Sequence, residues 1–255
     1  METQTLAETS SISPVFSKQK RTQRDHIFFT VMAIVCACMI FAGFGRTYYL
    51  KAFTGAPPLS PLLHWHAAVF TLWPIFFVAQ TLLIAKSRPH IHRRLGVAGV
   101  VLALLMIVLG GATAIASVRL GSRGLPGIEL PDPLIFLMLP IRNLVTFGTL
   151  FAAAIFYRRQ PETHKRLMLL ATLGGVVPPA VSRLRLVVAP EMVPALGVLI
   201  LLSILAGPIY DVITNRRIHR AYLLGLAFSL IVGVLGSQIA ATDGWHKFAG
   251  WLILS

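Results

Sequence analysis

The feature that most constrains this chain is a set of seven apolar stretches, each of about 20 residues, that recur along its 255 residues. A helix of that length crosses a hydrocarbon core of about 30 Å. Because a bilayer offers no water to unpaired peptide groups, such stretches fold as helices. Only 13% of the residues are charged, against about 25% in soluble proteins. We therefore predict an all-α, polytopic transmembrane helix bundle of seven spans, at residues 27–45, 62–85, 95–118, 133–157, 167–188, 192–212 and 221–241.

The basic residues are distributed unevenly between the two ends of these spans. The net charge is +14, and with seven spans fifteen of the 23 lysines and arginines lie on one side. Cytoplasmic loops carry an excess of such residues, so the distribution predicts a cytoplasmic N-terminus. The same distribution accounts for the net positive charge of the chain, so that charge does not indicate nucleic acid as a partner. The fifteen are Lys18, Lys20, Arg21, Arg24, Lys86, Arg88, Arg93, Arg94, Arg158, Arg159, Lys165, Arg166, Arg216, Arg217 and Arg220.

The chain divides into three predicted segments. Residues 1–26 are polar and then basic, which is typical of a disordered cytoplasmic tail. Residues 27–241 form one transmembrane domain, because the connections are short and successive spans must alternate in direction. Residues 242–255 are too few to cross the bilayer and predict an interfacial C-terminal tail.

The fifth predicted span contains two adjacent prolines, Pro178 and Pro179. Each removes a backbone donor, so together they should bend or interrupt the helix. Broken helices line the substrate sites of transporters, but prolines also occur in ordinary membrane helices. The sequence leaves both interpretations open.

Three spans on the basic side begin with a histidine followed by arginine or lysine: His92, His164 and His219. If these helices adjoin, the imidazoles can converge on a transition-metal ion or supply two axial ligands to haem b. Asp211, near the end of the sixth span, can orient one of them as a carboxylate acceptor. The alternative is that basic helix starts meet anionic lipid headgroups and only fix the topology.

On the other side, His64 and His66 flank Trp65 at the start of the second span. Residues two apart point in different directions on a helix, so only one of the two histidines is expected to reach a shared ion. His66, Trp73 and Gln80 are spaced by seven and share a face that should point into the bundle. Interhelical hydrogen bonds or a cofactor or substrate site can account for that face.

Arg142 lies about 15 Å into the fourth span and so near the membrane midplane. A charge at that depth is costly and marks either a paired residue or a functional site. Its expected partner is a backbone carbonyl, the neighbouring Asn143, or an anionic group on a bound ligand. Arg142, Gln80 and Asn143 are therefore candidates for a midplane anion or substrate site.

Sequence motifs give two resemblances. The HRRLG motif at residues 92–96, the HKRLM motif at residues 164–168 and the His-Trp-His start of the second span resemble a group of uncharacterised bacterial inner-membrane proteins. That resemblance implies a multi-pass protein of the bacterial inner membrane and no particular activity. A looser likeness is to the membrane b-type cytochromes, which hold haem between histidines on neighbouring helices. Those proteins stack two histidines at each level, whereas the outer level here has only His64, His66 and His246.

Three functions fit these observations. The first is a redox or metal-binding membrane protein that uses the histidines at the basic helix ends. The second is a small transporter or lipid-handling protein with a midplane site at Arg142 and Gln80, and the third is a structural subunit of a larger membrane complex. The lipid bilayer is the expected partner in all three, with other membrane proteins in the third. Signatures of hydrolases and phosphate-binding loops are missing from the sequence, and whether the protein is an enzyme is left open.

Overall fold

The computed structural model describes the backbone of residues 2–53, 58–121, 124–125, 128–129 and 132–254, and the side chains of residues 22–53, 58–121 and 132–254. Within these residues, seven helices are long and apolar enough to cross a membrane. The predicted all-α bundle of seven spans is thereby confirmed, whereas the side on which the N-terminus lies stays a prediction. The spans are Thr22–Tyr49, Pro61–Ala85, Pro89–Arg119, Pro133–Phe156, Pro161–Leu186, Pro190–Asn215 and Arg220–Ala240.

The second, third, fourth and seventh spans are single α-helices, the first ends in a π turn, the sixth begins with a 3₁₀ turn, and the fifth combines several helical segments. In chain order the α-helices are α1 Glu2–Phe44, α2 Pro61–Ala85, α3 Pro89–Arg119, α4 Pro133–Phe156, α5 Pro161–Ala171, α6 Val177–Ser182, α7 Val193–Asn215, α8 Arg220–Ala240 and α9 Asp243–Leu254. Shorter helical turns are Gly45–Tyr49, Lys51–Phe53, Thr172–Val176, Arg183–Leu186 and Pro190–Met192. Two-residue strands, β1 Gly124–Leu125 and β2 Ile128–Glu129, pair antiparallel between α3 and α4. The predicted disordered tail falls mainly on residues 1–21, whose side chains lie outside the described residues, and it stays a prediction.

Prolines and capping side chains set where several helices begin. The helices α2, α3, α4 and α5 each start at a proline, whose missing N–H costs nothing in a first turn. Ser60 caps α2 by accepting the Leu63 backbone N–H at 3.4 Å. Asp132 caps α4 by accepting the Leu134 N–H at 2.7 Å. These contacts satisfy donors that have no partner inside a helix.

The fifth span is the central helix of the bundle. It buries 61% of its apolar window, against 17–44% for the other six spans. It runs as α5, then a π turn at Thr172–Val176, then α6 and a 3₁₀ turn at Arg183–Leu186. The interruption expected from Pro178 and Pro179 is confirmed, because the π turn ends immediately before the short helix that contains them.

The core packs around the buried indole of Trp73 on the second span. This side chain is fully buried, and its ring contacts Phe147 edge to face at a centroid distance of 4.9 Å. Its N–H donates to the Thr172 hydroxyl at 3.3 Å, on the π turn. A side chain at Gly43 would collide with the Ala180 carbonyl, so the first span also crosses the fifth at close range.

The last helix, α9, lies against the bundle without crossing it. The Trp245 indole is buried and donates to the Leu134 carbonyl at 2.9 Å, at the start of α4. Phe248, Trp251 and Leu254 are exposed. A short helix that combines a docked face with an exposed aromatic face is typical of a segment at the membrane interface.

Candidate functional site

The candidate site lies where the second, third, fourth and fifth spans meet at one end of the bundle. We call this end, where the odd-numbered spans begin, the basic face, and the other end the opposite face. His92 lies in the first turn of α3 and His164 in the first turn of α5. Ala154 near the end of α4 and Gln80 on α2 complete the neighbourhood. The structure therefore brings two of the predicted histidines together.

The His92 and His164 rings are in contact and nearly perpendicular. Their centroids are 6.2 Å apart and their planes cross at 87°. Nδ1 of His164 lies 2.8 Å from the Ala154 carbonyl oxygen. A carbonyl can only accept, so Nδ1 carries the proton and Nε2 of His164 keeps its lone pair. Metal-binding histidines are commonly oriented in this way by a backbone carbonyl.

Two further polar atoms at this site have no hydrogen-bond partner among the described residues. They are Nδ1 of His92 and Oε1 of Gln80, and both are buried. The Gln80 backbone carbonyl also interacts with the His92 imidazole. A buried polar atom without a partner costs about 1–3 kcal/mol. These two atoms therefore carry lone pairs that no donor among the described residues uses, and a bound cation would remove the cost of burying them.

His219 does not join this pair. Its Nδ1 accepts the Ala221 backbone N–H at 3.1 Å and so caps α8. Burial lowers the pKa of His219, and the charge of Arg166 lowers it further, which keeps this nitrogen an acceptor. Over the described residues, no group of three or more His, Cys, Asp or Glu side chains could hold a metal ion. The structure thus pairs His92 with His164, whereas His219, the third histidine of the predicted group, caps α8.

Asp211 is held by Arg166 instead of orienting an imidazole. Both side chains are buried, and Nε of Arg166 donates to Asp211 Oδ2 at 2.9 Å while Nη2 donates to Oδ1. Asp211 Oδ2 also accepts the His219 backbone N–H at 3.1 Å. This ion pair joins the fifth and sixth spans and the start of the seventh.

The ion pair extends to the first span. Nη1 of Arg166 donates to Glu162 at 2.7 Å, and Lys165 donates to Asp25 at 2.6 Å. The Tyr210 hydroxyl donates to the other Asp25 oxygen at 2.7 Å. Sequence reasoning did not identify Arg166 or Asp25, because both lie in or beside basic segments that look exposed. The one signal was Asp211, since a lone carboxylate inside a span requires a cation.

The midplane candidates are partly accounted for by contacts within the protein. Nη1 of Arg142 donates to the Gly233 carbonyl at 3.1 Å and to the Ser237 hydroxyl at 3.0 Å, both on α8. Its aliphatic part fills the space that a side chain at Gly236 would need. Asn143 contributes its backbone carbonyl to a close approach at Gly175. Arg142 therefore uses the carbonyl partner that the sequence suggested, and Gln80 lies with the histidine pair.

The histidines of the opposite face lie apart. His66 stacks on Phe70 at a centroid distance of 4.1 Å, and its buried Nδ1 has no hydrogen-bond partner among the described residues. His64 lies 6.1 Å from the Tyr48 ring and lines an open cleft of about 560 Å³. His246 lies on α9 and contacts Asp132 at 2.6 Å. The opposite face thus contains no paired histidines within the part of the chain that the structure describes.

Comparison with protein-family models, with curated proteins and with solved structures found no match to this chain.

Proposed function

We propose that this integral membrane protein binds a transition-metal ion, or the iron of haem b, between His92 and His164, and that it acts in electron transfer. The observation that carries the proposal is the pair of rings with centroids 6.2 Å apart, one of them oriented through Nδ1 by a backbone carbonyl. Metal-nitrogen bonds are about 2.0–2.1 Å long, so rings at this spacing can share one ion.

The surrounding residues fit such an ion. Oε1 of Gln80 and Nδ1 of His92 are buried acceptors that lack donors among the described residues. The bonds of Ala154 and Gln80 to the two rings would fix their orientation and so preorganise the site. A bound redox-active ion would supply one-electron chemistry there.

Metal analysis and visible spectroscopy of the purified protein test this proposal. We expect one metal ion or haem per chain in the wild type, and loss of it in His92→Ala and in His164→Ala. His90→Ala is the matched control, because His90 is exposed two residues before His92 on the same helix. His219→Ala should also keep the metal. A colourless, metal-free wild type would refute the proposal.

We further propose that the protein lies in the bacterial inner membrane with the basic face in the cytoplasm. The support is the count of fifteen basic residues at that face and the positive-inside rule. Reporter fusions in the segment that opens with Arg46 should be active only outside the cytoplasm. Cytoplasmic activity of that fusion would reverse the orientation.

A second function, transport of a small anion, is favoured by one specific observation. The fifth span is interrupted by the π turn Thr172–Val176 in its middle, and π turns and broken helices are frequent at functional sites in membrane helices. Arg142→Ala should then abolish uptake of labelled short-chain carboxylates into proteoliposomes. His92→Ala combined with His164→Ala and His219→Ala should leave uptake intact. Uptake unchanged by Arg142→Ala would exclude this role.

A further inference from the structure

A group of cations with no acidic partner lies at the opposite face, far from the histidine pair. We call Arg46, Arg183 and Arg185 the outer cation group. The opposite face has only seven lysines and arginines at or near it, so this one place holds three of them. Over the described residues, none of the three forms an ion pair with a carboxylate within 4 Å. Positive charge is therefore concentrated at this place, although it is scarce over the opposite face as a whole.

Arg183 is the most enclosed member of the group. Its guanidinium lies over the Phe44 ring, 5.0 Å from the centroid. Its Nε is buried without a hydrogen-bond partner, and Nε of Arg185 is in the same state. Arg46 donates to the Leu186 carbonyl, which ties the end of the first span to the 3₁₀ turn that carries both arginines. Arg183 is therefore packed against an aromatic ring, while Nε of Arg183 and Nε of Arg185 stay unused by the described residues.

A neutral donor follows Arg46 in the chain. The Thr47 hydroxyl is buried and has no hydrogen bond to the described residues. His66 is close enough to Arg183 for an electrostatic interaction, but its ring also interacts with the Leu109 backbone carbonyl. A neutral imidazole has one N–H, so a ring that donates to that carbonyl has no second proton to donate. The buried donors that no described residue accepts are therefore the Thr47 hydroxyl on the first span and Nε of Arg183 and Arg185 on the fifth.

An open cleft of about 560 Å³ adjoins this region. Tyr48, Lys51 and His64 are among the residues that line it. Thr47 and Tyr48 belong to the same π turn, Gly45–Tyr49. The cleft therefore lies beside the turn that carries Thr47.

We propose that Arg183, with Thr47, binds a phosphate group, carried by a lipid headgroup or free in solution. The planar guanidinium matches the oxygens of a phosphate, and the buried donors gain acceptors that the described residues do not supply. Arg183 lies within the last four residues of its span, the depth at which lipid phosphates lie. The site is separate from the histidine pair, so it does not rest on metal binding.

The test measures phosphate binding to the full-length protein in a neutral, phosphate-free detergent. Calorimetric titrations use inorganic phosphate, short-chain phosphatidylglycerol, and diacylglycerol with the same chains and no phosphate. We expect saturable binding of phosphatidylglycerol and none of diacylglycerol. Binding of inorganic phosphate as well would identify free phosphate as a ligand, and its absence would identify the lipid headgroup.

Variants assign the binding to Arg183. Arg183→Gln should weaken it by about tenfold or more, the effect of losing one charge-assisted hydrogen bond. Lys247→Gln is the matched control, because it removes one exposed positive charge from the same face and should bind as the wild type. Thr47→Val removes a hydroxyl without a described partner, so it should fold normally and bind more weakly. Equal binding by the wild type, Arg183→Gln and Thr47→Val, equal binding of diacylglycerol, or no binding of either phosphate probe would overturn the proposal.

Discussion

Arg94 and Arg166 show how two residues with the same local sequence reach different environments. Each stands two residues after the histidine of its motif, in the second turn of α3 or α5. Arg94 is exposed, whereas Arg166 has 1% of its surface accessible and pairs with Asp211. The difference depends on a carboxylate 45 residues later in the chain. The shared motif gives both residues the same charge, and only the packing of the spans determines which of them is buried.

The Arg166 ion pair yields a prediction about stability. Arg166→Ala leaves the carboxylate of Asp211 buried without its cation, which should cost about 3–5 kcal/mol. Arg94→Ala is the matched control and should change the free energy of unfolding by less than about 0.5 kcal/mol. Replacing both partners, as Arg166→Met with Asp211→Leu, should recover most of the loss. Unfolding in mixed micelles with increasing SDS measures all three, and equal losses in Arg166→Ala and Arg94→Ala would contradict the structure.

At the scale of elements, hydropathy and proline content predicted the spans, whereas the contacts between side chains of different spans could not be predicted. The seven spans and the interruption of the fifth follow from apolar length and from Pro178–Pro179. The π turn itself and its contact with Trp73 could not be predicted, because both depend on which span lies next to the fifth. The same holds for His92 and His164, whose meeting requires a packing order that periodicity does not contain.

The link between the second span and the π turn can be tested by removing the indole N–H. Trp73→Phe deletes the N–H that donates to the Thr172 hydroxyl and should cost about 1 kcal/mol for the hydrogen bond, with a further loss for the smaller ring. Trp65→Phe is the control, because Trp65 is 68% exposed and its replacement should cost less than about 0.5 kcal/mol. The same SDS unfolding measures both. A smaller loss for Trp73→Phe than for Trp65→Phe would show that the indole does not hold the π turn.

The docking of α9 should depend on pH through His246. Its Nδ1 faces the Thr242 carbonyl at 2.8 Å and its Nε2 faces Asp132 at 2.6 Å, and these two contacts raise the pKa of His246 above its usual 6.5. Asp243 adds negative charge on the same helix. Because the folded pKa is raised, the stabilisation is complete below about pH 6.5 and is lost as pH rises through the folded pKa. Hydrogen exchange of α9, corrected for the intrinsic rate, should therefore show less protection at high pH.

A variant separates His246 from other titrating groups. His246→Gln keeps a polar side chain but cannot become charged, so the protection of α9 should no longer change with pH. His90→Gln, at an exposed position of the basic face, should retain the pH dependence of the wild type. A pH dependence that survives in His246→Gln would assign the effect to another group.

At the scale of the whole molecule, the fifth span carries a residue of each proposed site at its two ends. His164 and Arg183 are 19 residues apart, which corresponds to roughly 28 Å along a helix. The intervening π turn is packed between Trp73 and the Phe147 region, and its side chains Thr172, Leu173 and Val176 are buried. A rigidly packed segment of that length should keep the two ends energetically separate unless it has two stable arrangements.

That separation predicts additive effects of mutations at the two ends. His164→Ala should abolish metal binding and leave the affinity for phosphatidylglycerol unchanged, whereas Arg183→Gln should weaken phosphatidylglycerol binding and leave metal binding unchanged. In the double variant, the change in the free energy of unfolding should equal the sum of the two single changes within about 0.5 kcal/mol, because sites far apart with no shared partners are independent. Metal titrations with and without phosphatidylglycerol measure the coupling directly. A phosphatidylglycerol affinity that changes when the metal is removed would mean that the π turn switches between two packings. The fifth span would then be the element that couples binding at one face to binding at the other.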